Sequence, residues 1–544
     1  MSTSLLDIRN LFVPLPEGAD RPYAVEDVSF SLAKGEILCI VGETGSGKSL
    51  TAMATMGLLP PNLPRARGEV LFEGTNLLTL PASTRRKMAG SRLAMIFQEP
   101  IAALNPIYTV GDQVAETFRL HTSLGSAEIK SRVLDLFREV RLPNPEDIVR
   151  AYPHQLSGGQ CQRVMIASAL ALDPSLLIAD EPTTALDVTT QAQILKLMLD
   201  LREKHGTGIM FITHDFGVVA EIADRVAVMR QGRLVEIGPA AEVLNNPQAE
   251  YTRQLLAAVP TLEPRKARSG LGETVLKATG ISKLFNTRTV LGTAREVRAV
   301  DKVDLTIRRG ETVGLVGESG SGKSTLAQCV IRLVEPDSGD IVISGGEFSG
   351  LQGAALRAAR RRVQIVFQDP YTALDPRQAV GDAIAEGPVI HGIGRAEAQQ
   401  RALDGLEAVG LDRSASVRFP HEFSGGQRQR ICIARALAVE PELLIADESV
   451  SALDASVQAQ ILDLLAVMQK RLKFGMLFIT HDLRVASRIC DRIAVMREGR
   501  IVEMAEPVDL FSQPRETYTR ELLAAVPGRD RQTASPMKLR MKDI

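Results

Sequence analysis

Glu36-Ile37-Leu38-Cys39-Ile40-Val41 runs straight into Gly42-Glu43-Thr44-Gly45-Ser46-Gly47-Lys48-Ser49, and the reading of this stretch decides the fold. An apolar run of strand length meets GxxxxGK[ST], and a helix-compatible segment opens at Leu50. In that context the glycines let successive backbone N–H groups wrap a β-phosphate, and the helix N-terminus adds its dipole. Lys48 is placed to reach the β- and γ-phosphates and Ser49 to hold Mg²⁺. The plain alternative is a glycine turn that happens to precede lysine. The strand before it and the helix after it argue against that.

The octet returns as Gly317-Glu318-Ser319-Gly320-Ser321-Gly322-Lys323-Ser324, followed by Thr325, with the lysines 275 positions apart (323 − 48). Ser157-Gly158-Gly159-Gln160 returns as Ser424-Gly425-Gly426-Gln427, 267 positions on (424 − 157). At that same shift Asp180-Glu181 becomes Asp447-Glu448, and Thr213-His214-Asp215 becomes Thr480-His481-Asp482. Tyr251-Thr252-Arg253 likewise becomes Tyr518-Thr519-Arg520. A period near half of the 544 residues means a duplicated domain rather than a solenoid. The copies occupy residues 1–260 and 275–527. Between them, the polar stretch 261–274 with its Pro and Gly reads as a solvated connector, and 528–544 as a loose tail.

Within each copy, short apolar runs alternate with longer helical stretches, which argues for a largely parallel sheet covered on both faces. Leu176-Leu177-Ile178-Ala179 ends in Asp180-Glu181, and Ile209-Met210-Phe211-Ile212-Thr213 ends in His214. The segment Arg225 to Glu236 reads as a hairpin turning at Gln231-Gly232. Ligands of such sheets sit beyond the carboxyl ends of the strands, where all three motifs arrive.

Composition bounds the rest. Hydrophobic residues make up 45% and charged residues 24%, the proportions of an ordinary globular protein. With 64 Lys+Arg against 65 Asp+Glu the net charge is −1, which speaks against sequence-blind binding of nucleic acid. No run approaches the roughly 18 apolar residues of a membrane span. The first ten residues lack the basic flank and apolar core of a signal peptide, so a cytosolic chain is expected. Five scattered cysteines include no CxxC pair, leaving neither a disulfide framework nor a zinc site.

Asp180 and Asp447, at strand ends, are candidates to hold Mg²⁺ through its water shell. Glu181 and Glu448 follow directly and are placed to take a proton from the attacking water. An acid pair alone is a common helix start, but at a strand end beside a phosphate loop the chemical reading prevails. His214 and His481 recur at one shift, which favours a γ-phosphate contact over a structural histidine. Ser-Gly-Gly opening a helix is a second anion-binding device, with simple N-capping as the alternative.

Leu156-Ser157-Gly158-Gly159-Gln160 and Phe423-Ser424-Gly425-Gly426-Gln427, each between a phosphate loop and an Asp-Glu strand end, resemble the signature of ABC-type ATPases. The resemblance spans about Leu5 to Pro527. It implies an α/β fold of two tandem P-loop NTPase domains, each with a helical subdomain and a small antiparallel β subdomain. It also implies crossed ATP sites, one joining Lys48, Ser49, Asp180, Glu181 and His214 to Ser424 and Gly426. The other joins Lys323, Ser324, Asp447, Glu448 and His481 to Ser157 and Gly159. By motif, Gln98 and Gln368 look like the glutamines that sense Mg²⁺ and the attacking water. Asp187 and Asp454, in Ala185-Leu186-Asp187 and Ala452-Leu453-Asp454, look like domain-contact residues. Phe285 in the second copy and Tyr23 in the first are candidates to stack on adenine, with Leu15 at the usual position in the first.

The closing Tyr-Thr-Arg-x-Leu-Leu-Ala-Ala-Val-Pro of each copy is similar to ATPase subunits of the oligopeptide/dipeptide/nickel importer subfamily, here as a fusion of two subunits. So are Glu99-Pro100 to Asn105-Pro106 and Asp369-Pro370 to Asp375-Pro376 after the two glutamines. The resemblance implies an ATPase energising uptake through two separate membrane permease subunits. It further implies an extracytoplasmic solute-binding protein and a peripheral place on the cytoplasmic face of the bacterial inner membrane. Peptides are the first substrate class, with nickel chelates, glutathione-like compounds, opines and oligosaccharides open. Many relatives carry a cysteine-rich segment after the terminal Val-Pro; here it has no cysteine, so no iron–sulfur cluster is expected. The alternative, a soluble tandem ABC ATPase acting on ribosomes or DNA, calls for a long charged linker or zinc-binding insertions, and neither is present.

Overall fold

The computed structural model describes residues 4–183, 186–265, 268, 270–288, 294–451 and 453–528. Ala185 and Ala452, part of the connector and nearly all of the tail lie outside the described residues. The chain divides into two compact units, the first comprising the described residues through Val259 together with Pro527 and Gly528, and the second running from Pro260 to Val526.

The first unit is built on a six-stranded sheet in the order Arg233–Pro239, Arg225–Arg230, Ile37–Val41, Gly208–Ile212, Leu176–Asp180, Leu93–Ile96. All neighbours are parallel except the edge hairpin, which turns through Gln231 and Gly232 at φ 49° and 85°. Two consecutive left-handed residues suit the twist of a two-residue hairpin. The central strands are buried along their whole length because both faces are covered. Alternation sorts their side chains: Ile37, Cys39 and Val41 face a helical layer. Leu38 and Ile40 face a four-stranded antiparallel sheet ordered Tyr23–Leu32, Leu6–Pro14, Arg67–Phe72, Thr75–Asn76. The helical layer includes Val110–His121, Ser126–Glu139 and Gly158–Leu170. All five cysteines are buried.

The second unit repeats this plan. Its six strands are Val363–Val366, Leu443–Asp447, Gly475–Ile479, Thr312–Val316, Arg492–Arg497 and Arg500–Ala505. Its antiparallel sheet pairs Ala294–Arg308, Thr274–Arg288, Ser338–Ile343 and Gly346–Glu347. Among the described residues no helix is long and apolar enough to cross a membrane.

The described part of the connector is mostly exposed, as a solvated segment would be, but it makes specific contacts with the second unit. Thr261 O accepts from Ser487 Oγ at 2.9 Å, and Arg265 N–H donates to Ser487 O at 3.2 Å. The Arg268 guanidinium lies on Gly310 O at 2.8 Å and Gln469 Oε1 at 2.6 Å, beside buried Asp491 at 3.5 Å. The first unit holds a guanidinium at the equivalent point, but on its own helix: Arg202 donates to Gly35 O and to Asp224, each at 2.9 Å. Asp224 and Asp491 both accept the first amide of the phosphate-loop strand, from Ile37 and Thr312, at 2.8 Å. Gln469 stands where the first copy has Arg202, and the connector supplies the missing arginine.

Candidate functional site

Strands Ile37–Val41, Gly208–Ile212 and Leu176–Asp180 are adjacent and parallel, so their carboxyl ends bring the phosphate loop, His214 and Asp180-Glu181 together. Two glycines of the loop are obligatory. At Gly42 (φ 150°) a Cβ would lie 2.2 Å from Met229 O, and at Gly47 (φ 99°) 2.6 Å from Ala24 O. Lys48 opens the helix Lys48–Met56 and is 6% exposed. Its Nζ donates to Gly42 O at 2.7 Å and Glu43 O at 3.0 Å, and lies 3.4 Å from Ser46 Oγ. Lys323 does the same with Gly317 O, Glu318 O and Ser321 Oγ at 2.9, 2.8 and 3.4 Å.

Ser49 Oγ donates to Asp180 Oδ1 at 3.1 Å, and Ser324 Oγ to Asp447 Oδ1 at 3.0 Å. Burial pushes the Asp180 carboxyl up to about 6 against the pull of the Ser49 bond, and raises Asp447 for the same reason. A carboxylate so poorly solvated gains from a cation. One hydroxyl and one carboxylate per site are hard oxygen donors that fit Mg²⁺. Among the described residues no three His, Cys, Asp or Glu gather into a metal cage.

Glu181 and Glu448 adopt left-handed backbone at φ 47° and 44°, a strain of about 1 kcal/mol of the kind that clusters at functional sites. Gln98 Nε2 donates to Glu181 Oε2 at 3.1 Å, and His214 Nδ1 lies 3.4 Å from the same oxygen. In the second unit Gln368 reaches Glu448 at 2.9 Å and His481 at 3.6 Å. Burial alone would lower His481, but the hydrogen bond and charge of Glu448 raise it. Burial likewise pushes Glu448 up, yet His481 and Lys323 hold it below the usual carboxylate range. Histidine and glutamate therefore sustain each other's charge.

Ser157 and Ser424 are N-caps of the helices Gly158–Leu170 and Gly425–Leu437. The serine oxygens accept from Gln160 N and Gln427 N, and the glutamine side chains accept from the serine amides, which is a capping box. The glutamine side chains are thus engaged in the cap. A Cβ at Gly158 or Gly425 would meet nothing within 4 Å, and neither has a positive φ. Among the described residues of its own unit no contact requires glycine there.

Asp187 caps the helix Val188–His205 through Thr190 N at 2.8 Å, and Asp454 precedes Ala455–Leu472. Tyr23 packs edge-on against Phe12 at 5.4 Å. Phe285 is 38% exposed, with Lys283 Nζ 5.7 Å from its ring. Sequence reasoning noted the repeated Tyr251 and Tyr518 but assigned them no role. The structure places their hydroxyls against the phosphate loops, accepting from Glu43 N at 3.3 Å and Glu318 N at 3.1 Å.

The family model for the ABC transporter matches residues 25–184 and 300–451, more than half of the chain. The model for the oligopeptide/dipeptide transporter C-terminal region matches 235–290 and 502–541. The peptidoglycan transport ATP-binding protein YejF of Agrobacterium fabrum is 47% identical over 526 residues, 96% of each chain. The glutathione import ATP-binding protein GsiA of Shigella boydii is 45% identical over 579 residues, covering 99% of this chain and 92% of its own. Matched in both copies and along its length, the chain belongs to the ABC transporter family, as an ATP-hydrolysing tandem ATPase of the importer type.

Proposed function

We propose that this chain drives uptake of peptides or peptide-like solutes by hydrolysing Mg²⁺-ATP at two sites, each completed by the Ser-Gly-Gly turn of the other copy. The carrying observation is the bonded set Lys–loop, Ser–Asp and Gln–Glu–His, repeated in both units with equivalent distances differing by 0.2 Å or less. Both sites therefore have the groups for turnover. Mg²⁺ would be held by Ser49 and Asp180, and by Ser324 and Asp447, with Gln98 and Gln368 nearby. When bound it offsets charge on the β- and γ-phosphate oxygens.

The chain's own groups do the rest. Loop amides and Lys48 or Lys323 bind the phosphates, and Glu181 or Glu448 accepts the proton of the attacking water. His214 and His481 hold those glutamates in place. The glycines at 158 and 425, which no contact among the described residues of their own units requires, support an approach by a phosphate from outside. The relatives are named for peptidoglycan transport and glutathione import, both substrates with peptide bonds, which supports a peptide-like cargo. The partners are membrane permeases, two in number, served by an extracytoplasmic binding protein. The chain works from the cytoplasmic face of the bacterial inner membrane.

Replacing Glu181 and Glu448 together by Gln, in a complex reconstituted with its permeases, tests this. ATP binding is expected to persist while hydrolysis and uptake fall by at least about a hundredfold. Hydrolysis near the wild-type rate would remove both glutamates from the mechanism.

A further inference from the structure

The Tyr-Thr-Arg segments lie outside every motif that binds ATP, yet they reach the phosphate loops. Tyr251 stands in the first turn of Glu250–Ala258, and Tyr518 in that of Thr517–Ala524. Strand carboxylates fix where these helices start. Glu236 accepts from Gln248 N and Ala249 N at 2.8 and 3.1 Å, and Glu503 from Arg515 N and Glu516 N at 2.9 and 3.1 Å. Arg230 and Arg497 lie over the tyrosine rings at 4.6 and 4.7 Å, and both rings are buried. Position and tilt of each ring are thereby set before its hydroxyl meets the loop.

We propose that Tyr251 and Tyr518 are positioning residues of the two phosphate loops, an inference that rests on those loops holding ATP. Each hydroxyl takes the amide of the loop's second residue, Glu43 or Glu318, and so orients the peptide unit after the obligatory glycine. The carbonyls of those same residues face Lys48 and Lys323. Lysine exchanges its carbonyl contacts for phosphate when ATP is held, whereas the tyrosine bond lies on the amide side and does not compete with phosphate. The tyrosine therefore keeps the loop in shape while lysine changes partners. Burial, with the Glu43 carboxylate close by, pushes the Tyr251 hydroxyl up to about 12, so it stays a neutral partner at any working pH. Strand carboxylates and tyrosines both fall within the residues matched by the oligopeptide/dipeptide C-terminal region. That region thus contributes to the ATP sites of both copies.

Tyr251→Phe and Tyr518→Phe, singly and together in the full chain, provide the test. Phenylalanine keeps the ring and its arginine, and removes only the bond to the loop. Loop contacts serve bound substrate and transition state alike, so KM for ATP should rise about five- to tenfold with kcat unchanged. Each single variant should weaken photolabelling by azido-ATP only in the copy that carries it, with the melting temperature unmoved. A KM within twofold of wild type in the double variant, or a fall in kcat at constant KM, overturns the proposal. Lys48→Ala and Lys323→Ala provide the separate control. If they keep wild-type ATP affinity, the assignment of the loops themselves fails, whatever the tyrosines do.

Discussion

Removing the Arg268 side chain should destabilise the second unit more than removing Arg202 destabilises the first, although both guanidinia lie beside the carboxylate that accepts the first strand amide. The difference lies in their carboxylates. Asp491 is 2% exposed beneath Arg268 at 22%, while Asp224 and Arg202 are 35% and 32% exposed. Stripping the cation from a buried carboxylate costs about 3–5 kcal/mol, against up to about 1 kcal/mol for exposed pairs. Asp491 keeps the amides of Thr312 and residue 268, which places Arg268→Ala near the lower bound, about 3 kcal/mol. Arg202→Ala should cost about 1 kcal/mol. For a domain of this size that means a fall of roughly 6–12 °C in the melting transition of the second unit and about 2–4 °C in the first.

Calorimetry of the full chain, with amide exchange read on the strands Thr312–Val316 and Ile37–Val41, assigns each loss to its unit. The decisive variant adds Gln469→Arg to Arg268→Ala, returning the arginine to the helix position it has in the first copy. It should recover at least half the lost stability and protect the Thr312 amide again, while 261–265 still exchanges faster than in wild type. Equal costs for Arg268→Ala and Arg202→Ala would refute the reasoning. So would a double variant less stable than Arg268→Ala alone.

Two further outcomes bear on the transport assembly. Ser424→Arg should abolish hydrolysis of the nucleotide held by Lys48 and leave binding at Lys323 largely intact, as read by azido-ATP labelling mapped by copy; the converse pattern would mean that each copy works alone. Single cysteines at Ala102 and Thr372 should crosslink to cytosolic loops of the permeases in a reconstituted complex, and crosslinks to ribosomal proteins instead would point away from transport.

The strands and loops that carry the chemistry were legible because their signals are local. Five buried residues ending in a glycine turn and lysine can be read from one window, and so can Leu-Leu-Ile-Ala-Asp before glutamate. The hairpin at Gln231-Gly232 was legible for the same reason. Contacts across long sequence separations were not. Tyr251 meets Glu43 from 208 residues away, and no periodicity announces that bond. Composition could not show the place of Arg268, because a polar segment rich in arginine looks solvated throughout until a buried carboxylate is found beside one of its cations. The Ser-Gly-Gly-Gln turn allowed capping and anion binding as alternatives. The structure shows the cap, made by serine and glutamine, and leaves only the first glycine of each turn, Gly158 or Gly425, open to an approach.

Duplication within one chain separates what chemistry demands from what packing demands. Around the phosphate loops the same set of bonds recurs: lysine to two carbonyls, serine to aspartate, glutamine to glutamate, tyrosine to the loop amide. Each of these positions requires a particular group on a particular element, because its partner is a phosphate, a cation or the loop that holds them. The guanidinium beneath the phosphate-loop strand obeys a weaker rule. Asp224 and Asp491 need a cation at one point in space, and a helix or a connector can supply it. That freedom makes the copies unequal as pieces of protein. The first carries its arginine within residues 4–259, whereas the second, cut at the sequence boundary of 275, would lose the residue that neutralises Asp491. The first unit gives way to the second at Val259–Pro260, and within the stretch that reads as a spacer between two ATPases Arg268 is bound to the second unit.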